Sequence, residues 1–194
     1  IEMKVDILSA LRAAVFQVPS LSTTGFVSAD FETWPTFSKM LLLTLMMIGG
    51  CAGSTASGIK VARIVLLFRS ARAVIQQKLN PHRVVDVSLG GVHVDGAVLM
   101  RVGTFFFLYL LIICITALLL TADGLAPFDA VAVAVTTIGN IGPAFGIVSA
   151  TATYAPLSDF VKSVLCITML LGRLEIFTLL ILLRPSFWRK TKRW

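Results

Sequence analysis

Charged residues, and acidic ones above all, are scarce in this sequence. Asp, Glu, Lys and Arg together make up 14% of the 194 residues, against about 25% in an average soluble protein. Ten acidic residues stand against 17 basic ones, while 57% of the chain is hydrophobic and the mean hydropathy is +0.90. This composition excludes an ordinary soluble domain and indicates a membrane protein.

Cysteine and histidine are too few and too scattered to suggest a metal site. Cys51, Cys114 and Cys166 each lie in an apolar stretch and lack the spacings of metal ligands or of a disulfide framework. We expect them to be small core residues. Glu175 is the one carboxylate in the middle of a predicted span, so an intramembrane enzyme would lack paired acids. We therefore expect no enzyme, no catalytic residue and no covalently bound cofactor.

The sequence also lacks a phosphate-binding loop, because its glycine-rich segment does not end in Gly-Lys-Ser/Thr. Basic residues cluster in residues 60–101 and 184–193, twelve in all against two acidic ones, Asp86 and Asp95. By the positive-inside rule both segments are cytoplasmic. Since the clusters flank predicted spans, membrane lipid is the expected partner and nucleic acid is not.

Long uninterrupted apolar runs are few. Residues 102–122 carry no charge and are long enough to cross a bilayer as a helix. A second run, residues 34–68, is interrupted by a glycine-rich segment, and a third, residues 158–183, carries Arg173 and Glu175 at mid-depth. Irregular backbone and charge are tolerated in a membrane only where protein or an aqueous cavity surrounds them. The interruptions are therefore candidate functional positions.

A short element occurs twice, as Ser22-Thr-Thr-Gly-Phe26 and, 114 positions later, as Thr136-Thr-Ile-Gly-Asn140. Each copy follows a predicted half-helix, over residues 8–21 or 127–135, and precedes a longer apolar run. Half-helix, Thr-x-Gly loop and spanning helix is the plan of a cation-channel pore loop, in which backbone carbonyls replace the hydration shell of the ion. Glycine suits the loop because it accepts a positive φ. Thr-x-Gly alone is a weak pattern, common in turns and helix-packing sites, but its repeated context favours a pore loop.

The order of elements predicts an all-α membrane protein with two pore-loop units, the first without its leading helix. Asn80-Pro81 marks a turn, and the alternation around Gly90-Gly91 predicts a small cytoplasmic hairpin. A closed pore built from such units normally needs four. We therefore expect an N-terminal half of the same polypeptide to supply two more.

Four stretches of the chain resemble the Trk/Ktr/HKT superfamily of potassium transporters, and within it the TrkH type. They are residues 22–26, 49–61, 137–143 and 172–177, and the second and fourth are far more specific than the loops. The resemblance implies four potassium-channel-like helix, pore-loop, helix repeats around one pore. It assigns residues 1–79 to the third repeat without its first helix, 80–95 to a cytoplasmic linker with the hairpin, and 96–194 to the fourth repeat with a basic tail.

By position, the resemblance implies two quarters of a potassium selectivity filter. One consists of Thr23, Thr24, Gly25 and Phe26, and the other of Thr137, Ile138, Gly139 and Asn140. Potassium would bind the backbone carbonyls of the first three residues in each set. Because only Thr-x-Gly of the potassium-channel loop Thr-Val-Gly-Tyr-Gly is kept, weaker discrimination against sodium is expected. Gly25 and Gly139 are expected to tolerate substitution least.

The resemblance further implies a gate beneath the filter, at a break in the second helix of the third repeat. The expected gate residues there are Gly49, Gly50, Gly53, Ser54, Thr55 and Gly58. Glycines and small residues weaken a helix, and the hydroxyls, including that of Ser57, can bond freed backbone groups. The alternative is a close helix-packing seam, for which Gly49 and Gly53 have the small-xxx-small spacing.

Arg173 completes the expected gate. A charge at mid-span costs about 2.5 to 3.5 kcal/mol on insertion scales, so its side chain should face the pore or a partner. The resemblance implies a pore position near the helix break, where a fixed cation would repel potassium. The alternative is an ion pair with Glu175, although residues two apart on a helix point to different faces.

Together these expectations describe potassium uptake across a bacterial inner membrane through a gated, channel-like pore. The resemblance implies a homodimer regulated by a cytoplasmic TrkA-type nucleotide-binding subunit. Potassium would be the transported ion, and nucleotide would bind only the regulatory partner. The alternative is an ion-coupled secondary transporter, whose broken helices also place glycine-rich segments at mid-membrane.

Overall fold

The computed structural model describes residues 7–51, 53–54, 57–80, 86–174 and 176–183. These residues are largely helical and include one two-stranded hairpin, β1 (Ser88–Leu89) with β2 (Val92–His93). Shorter turns are the π-helical turn Ser20–Thr24 and the 3-10 turns Phe31–Thr33 and Gly146–Val148. The helices are α1 (Ile7–Pro19), α2 (Thr36–Ile48), α3 (Val61–Leu79), α4 (Gly96–Ala122), α5 (Pro127–Gly139), α6 (Asp159–Arg173) and α7 (Ile176–Leu183).

Among the described residues, α4 is the one helix long and apolar enough to cross a membrane. Its 27 residues extend over about 40 Å at 1.5 Å per residue. Other faces of α4 carry exposed apolar side chains, such as Phe107 and Leu118, which suit contact with lipid or with further helices. The buried side chains recur three or four positions apart, as on one stripe of a helix; they are Val102, Phe105, Tyr109, Ile113, Thr116, Ala117 and Leu120.

α5 lies at the centre of the fold. Pro127 occupies its first turn, where a missing N–H costs no helical hydrogen bond, and every residue from 132 to 139 is buried. The helix packs against α4 and α6 of its own unit and against α2 of the other. Such a short, enclosed helix confirms the predicted half-helix, although it ends four residues later than the predicted position 135.

The two units share one plan. α1 and its π-helical turn lead through a loop to α2 and α3, and α5 leads through a loop to α6 and α7. In both units a break separates the last two helices. The sequence predicts the break between α2 and α3, whereas the one after Arg173 falls in a run that it predicts as a single span.

The loops that follow the two half-helices, which carry Phe31 and Phe145, are tied together. The ring of Phe31 meets that of Phe145 edge to face, with centroids 5.3 Å apart. Nearby, the Glu32 carboxylate accepts hydrogen bonds from Lys39 Nζ at 2.6 Å and from the Gly146 backbone N at 3.1 Å. Burial raises the pKa of Glu32, but these hydrogen bonds and the charge of Lys39 outweigh it and leave that pKa below its ordinary value.

The hairpin confirms the prediction made from the glycine pair. Gly90 and Gly91 have φ of +60° and +83°, as a two-residue type I′ turn requires. The strands are shorter than the alternation suggests, and residues 84 and 85 lie outside the described part of the chain. Val87, just before β1, packs in a small cluster with Leu66 of α3 and Val102 of α4.

The expected core position of the cysteines is wrong. Cys51, Cys114 and Cys166 are all exposed in this chain. Apolar character along these segments reflects the membrane setting, and only one face of each helix packs within the chain. The basic segment 184–193 lies outside the described residues.

Candidate functional site

The first loop begins where α1 changes its hydrogen-bond pattern. The π-helical turn Ser20–Thr24 follows α1 and is closed by a hydrogen bond of 2.8 Å from Gly25 N to Ser20 O. Thr23 and Thr24 therefore lie in the last helical turn, beyond the predicted end of the half-helix at residue 21. Gly25 has the positive φ that the sequence predicts, +76°, and an L side chain there would be strained.

The second loop starts later than the sequence predicts. Thr137, Ile138 and Gly139 form the last turn of α5 and are buried. The Thr137 carbonyl accepts a hydrogen bond of 3.1 Å from Asn140 N. The Ile138 carbonyl packs closely against Gly172: a Cβ on residue 172 would lie 1.9 Å from the Ile138 oxygen. These three residues were expected to line the filter, but here the non-helical loop begins at Asn140.

Hydrogen bonds to the loop ends identify the matching glycines. In the first unit the Ser20 hydroxyl donates to the carbonyl of Phe26, the residue after the loop glycine. In the second unit the Thr136 hydroxyl donates, at 2.9 Å, to the carbonyl of Pro143, the residue after Gly142. Gly142, with φ +111°, is thus the counterpart of the first loop's glycine. The sequence signal for it is the following proline, which disfavours helix at the residue before it.

The two loops touch each other through backbone. A Cβ at position 25 would lie 1.8 Å from the carbonyl oxygen of Ile141 and 3.1 Å from Cδ of Pro143. Gly25 is therefore required both by its conformation and by its neighbour. Gly139 has no positive φ, and a Cβ there would first meet the Ile141 side chain at 3.0 Å. Of the two glycines expected to tolerate substitution least, Gly25 therefore has a backbone reason and Gly139 does not.

The break between α2 and α3, residues 49–60, is a loop closed at its base. Three backbone hydrogen bonds of 3.0 to 3.4 Å join residues 59, 60 and 61 to residues 47, 48 and 50. Gly49 and Gly58 have φ of +70° and +100°, and a Cβ on Gly49 would come within 2.6 Å of the Ser57 carbonyl. The segment is a true helix break, so a packing seam between continuous helices does not describe it.

The polar groups of this loop have different roles. The Ser54 hydroxyl donates to the Cys51 carbonyl at 2.7 Å and closes a local turn, as the sequence predicts. Gly53 has φ +83° with nothing within 4 Å of a Cβ, and Gly50 O accepts one of the base bonds. Thr55 lies outside the described residues. The Ser57 hydroxyl points instead toward the second loop.

The side chain of Asn140 connects three elements. Its amide nitrogen donates at 3.1 Å to the hydroxyl of Ser57 and at 3.1 Å to the carbonyl of Met169 in α6. Asn140 adopts φ +53°, a left-handed conformation that caps α5 and that Asn tolerates better than most residues. The sequence predicts only a backbone role for Asn140, and its side-chain role was missed because Ser57 is 83 positions away.

Arg173 does not lie in the middle of a helix. It is the last residue of α6, and Leu174 N caps the helix by donating to Leu170 O. A cation at a helix C-terminus interacts favourably with the helix dipole, which reduces the cost expected for a mid-span charge. Arg173 directly follows Gly172, the residue that packs against Ile138 in the last turn of α5. Glu175 lies outside the described residues.

Both backbone polar groups of Gly142 form hydrogen bonds with side-chain hydroxyls. Its N–H donates to Thr136 Oγ1 at 3.2 Å, and its carbonyl accepts from the Tyr154 hydroxyl at 2.5 Å. A cavity of about 210 Å³ lies beside this peptide, between α5 and α6. Its lining includes Tyr154, Leu165 and Met169.

Three comparisons place the chain among cation transporters. Residues 3–190 match the model of the TrkH family, described as a cation transport protein. The Trk system potassium uptake protein TrkH of Salmonella typhimurium is 40% identical over 184 residues, which are 94% of this chain and 38% of that protein. The Trk system potassium uptake protein TrkI of Halomonas elongata is 33% identical over 184 residues, 94% of this chain and 37% of that protein.

A solved structure is also similar. The crystal structure of the potassium transporter TrkH from Vibrio parahaemolyticus has a TM-score of 0.86 and 40% sequence identity. The match covers 95% of this chain and 39% of the crystallised chain. The present chain therefore spans less than half the length of the relatives that it matches.

Proposed function

The chain belongs to the TrkH family of cation transport proteins, and we propose that it supplies two of the four pore loops of a potassium-uptake protein. Like the relative of known structure, it is a helical membrane protein. Two further loops would come from the rest of the polypeptide, since the matched relatives are more than twice as long. The observation that carries the proposal is the backbone contact between Gly25 and Ile141, which joins two equivalent loops edge to edge.

The proposed filter strands are residues 23–25 and 140–142. Both follow a half-helix, and both place a positive-φ glycine directly before the residue whose carbonyl accepts from a hydroxyl at the end of that half-helix. Positive φ lets successive carbonyls point toward one axis, where they can replace water around a dehydrated cation. The function needs no bond-breaking chemistry, and we assign no catalytic residue.

The proposed gate consists of the loop at residues 49–60 together with Arg173. The hydrogen bond from Asn140 to Ser57 supports a position of this loop next to the inner end of the second filter strand. Glycine at both ends of the loop permits the tight base that holds it there. Arg173 would add a fixed positive charge at the end of α6, and such a charge raises the energy of a passing cation.

We further propose that the assembly is a homodimer in a bacterial inner membrane, regulated by a cytoplasmic nucleotide-binding subunit of the TrkA type. The basic residues of α3, among them Arg69 and Arg72, and the adjacent hairpin form the candidate regulatory surface. Their excess of positive charge supports a cytoplasmic location. Nucleotide would bind the regulatory subunit, and potassium is the only ligand assigned to this chain.

A second candidate is an ion-coupled secondary transporter. Breaks occur in corresponding helices of the two units, between α2 and α3 and between α6 and α7, and such paired breaks are typical of those transporters. We favour the pore because it accounts for the contact between the two loops at Gly25, a glycine with positive φ. A secondary transporter with broken helices does not require such a contact.

Ion flux measurements on the full-length protein in liposomes distinguish the two. We expect potassium to move down its own gradient, with no sodium or proton gradient imposed, and faster than sodium. A requirement for a second ion gradient would support the secondary transporter, and absence of any potassium flux would contradict both. Protein-free liposomes measure the leak.

A further inference from the structure

The carbonyl of Gly142 has a side-chain donor of its own. The Thr136 hydroxyl accepts from Gly142 N and gives its one proton to the carbonyl of Pro143. It therefore has no proton left for the Gly142 carbonyl. That carbonyl accepts instead from the phenol of Tyr154, twelve positions later, at 2.5 Å.

Tyr154 is well placed to hold this carbonyl still. It lies in the outer segment between α5 and α6, half-buried against the main core, and its backbone carbonyl accepts a hydrogen bond from Leu157 N at 3.2 Å. Its ring borders the cavity that Leu165 and Met169 also line. Burial raises the pKa of Tyr154 to about 12, so the phenol keeps its proton at physiological pH.

The direction of a filter carbonyl matters for ion choice. Discrimination between potassium and sodium depends on how many carbonyl dipoles surround the ion and on how freely they move. A carbonyl that is held in place by a hydrogen bond from a side chain cannot move inward to coordinate sodium, the smaller ion. Such fixing matters at Gly142, because glycine has no side chain to restrict its backbone.

We propose that Tyr154 is a positioning residue for selectivity, which fixes the Gly142 carbonyl and so disfavours sodium. The inference rests on the proposed pore function. Tyr154→Phe removes the phenol oxygen and keeps the ring in the core. The ratio of potassium to sodium permeability should fall about three- to tenfold, the equilibrium equivalent of one neutral hydrogen bond.

The chain offers a matched control. Tyr109 in α4 is buried, and its hydroxyl has no hydrogen-bond partner among the described residues. Tyr109→Phe therefore makes the same chemical change away from the loops and should leave the permeability ratio unchanged. A role for Tyr154 in stability alone would lower the unfolding temperature and leave the ratio as in the wild type.

The test measures potassium and sodium permeability of full-length wild type, Y154F and Y109F in liposomes. A fall in the ratio for Y154F alone supports the inference; equal ratios in all three overturn it while the proposed pore stands. No potassium flux in the wild type overturns the proposed function itself. If Y154F does not fold, a fluorinated tyrosine of lowered phenol pKa at position 154 replaces it. Its selectivity should fall as pH rises through that pKa, and a pH-independent ratio overturns the inference.

Discussion

The side-chain nitrogen of Asn140 lies 3.1 Å from the hydroxyl oxygen of Ser57, although the two residues are 83 positions apart. Asn140 caps the central half-helix, and Ser57 belongs to the loop that interrupts α2 and α3. One hydrogen bond thus connects the proposed filter with the proposed gate. The second amide proton of Asn140 is used on Met169, so the contact also fixes both elements to α6.

Ser57→Ala should release the gate loop from the filter. The variant removes the acceptor of one neutral hydrogen bond, worth about 1 kcal/mol, so basal potassium flux without a regulatory partner should rise about fivefold. Flux into liposomes provides the measurement. Ser54→Ala is the matched control because, among the described residues, its hydroxyl bonds to the Cys51 carbonyl of its own turn and not to the second loop. Equal flux in the two variants would show that the Asn140 contact does not restrain the gate.

Glycine replacements should rank by backbone conformation and by contact. Gly25→Ala adds both a left-handed penalty of about 1 to 2 kcal/mol and a collision with the Ile141 carbonyl, so it should abolish potassium flux. Gly142→Ala adds the penalty alone, and Gly139→Ala displaces only a flexible side chain. Gly124→Ala, also at positive φ but in the α4–α5 turn, controls for conformational strain. Greater loss of flux with Gly139→Ala than with Gly142→Ala would instead support a filter at residues 137–139, as the sequence predicts.

Arg173→Ala should raise basal potassium flux. Removing a unit charge near a conducting ion lowers its barrier by about 1 kcal/mol or more, which corresponds to at least fivefold in rate. Arg173→Lys keeps the charge and should conduct like the wild type. Unchanged flux in the alanine variant, together with a lower unfolding temperature, would mean that Arg173 serves only the C-terminus of α6.

Thr116→Val should weaken packing between α4 and α6 without affecting ion choice. The hydroxyls of Thr116 and Thr168 lie 3.2 Å apart and are buried, while Thr168 keeps a second bond to Val164 O. Interhelical bonds of this kind contribute about 0.6 kcal/mol on average. A small fall in unfolding temperature is expected, with flux unchanged. Thr104→Val is the control, since within the described part of the chain that exposed hydroxyl bonds to the Met100 carbonyl of its own helix.

The tie between the loops that carry Glu32 and Gly146 should weaken in acid. Glu32 has a pKa below its ordinary value of 4.5. Its contribution to stability is therefore fully present above 4.5 and is lost as the pH falls through the lowered pKa. Thermal unfolding measured against pH should show this loss in the wild type and much less of it in Glu32→Gln. Asp123→Asn, at the exposed end of α4, should keep the wild-type profile.

The sequence predicted which helices and loops occur better than it predicted the residues at which they begin and end. Pro127, the uncharged run of α4, the glycines at residues 49–58 and the Gly90-Gly91 turn each act locally, so their consequences could be predicted from neighbouring residues. The position of the second loop could not be predicted in this way, because Gly139 and Gly142 are both suitable as the glycine of that loop. Packing of Ile138 against Gly172 decides between them, and that contact joins distant parts of the chain.

Arg173 shows a similar limit. An apolar run with two charges at mid-depth predicts a span, and nothing in its periodicity reveals that α6 ends at the arginine. The contact of Asn140 with Ser57 and that of Tyr154 with Gly142 are likewise tertiary. Side-chain roles that depend on long-range contacts were missed, whereas the glycine and proline roles that depend on neighbouring residues alone, such as those of Gly25, Pro127 and the Gly90-Gly91 turn, were predicted.

The closed base of the loop at residues 49–60 separates two kinds of motion. Because backbone bonds join residues 47, 48 and 50 to residues 59, 60 and 61, α2 and α3 stay connected whatever the loop tip does. If this loop is the proposed gate, we expect it to open on a fixed base without bending of either helix. We expect the temperature at which the protein melts and the fraction of time for which it conducts to be adjustable separately by mutation.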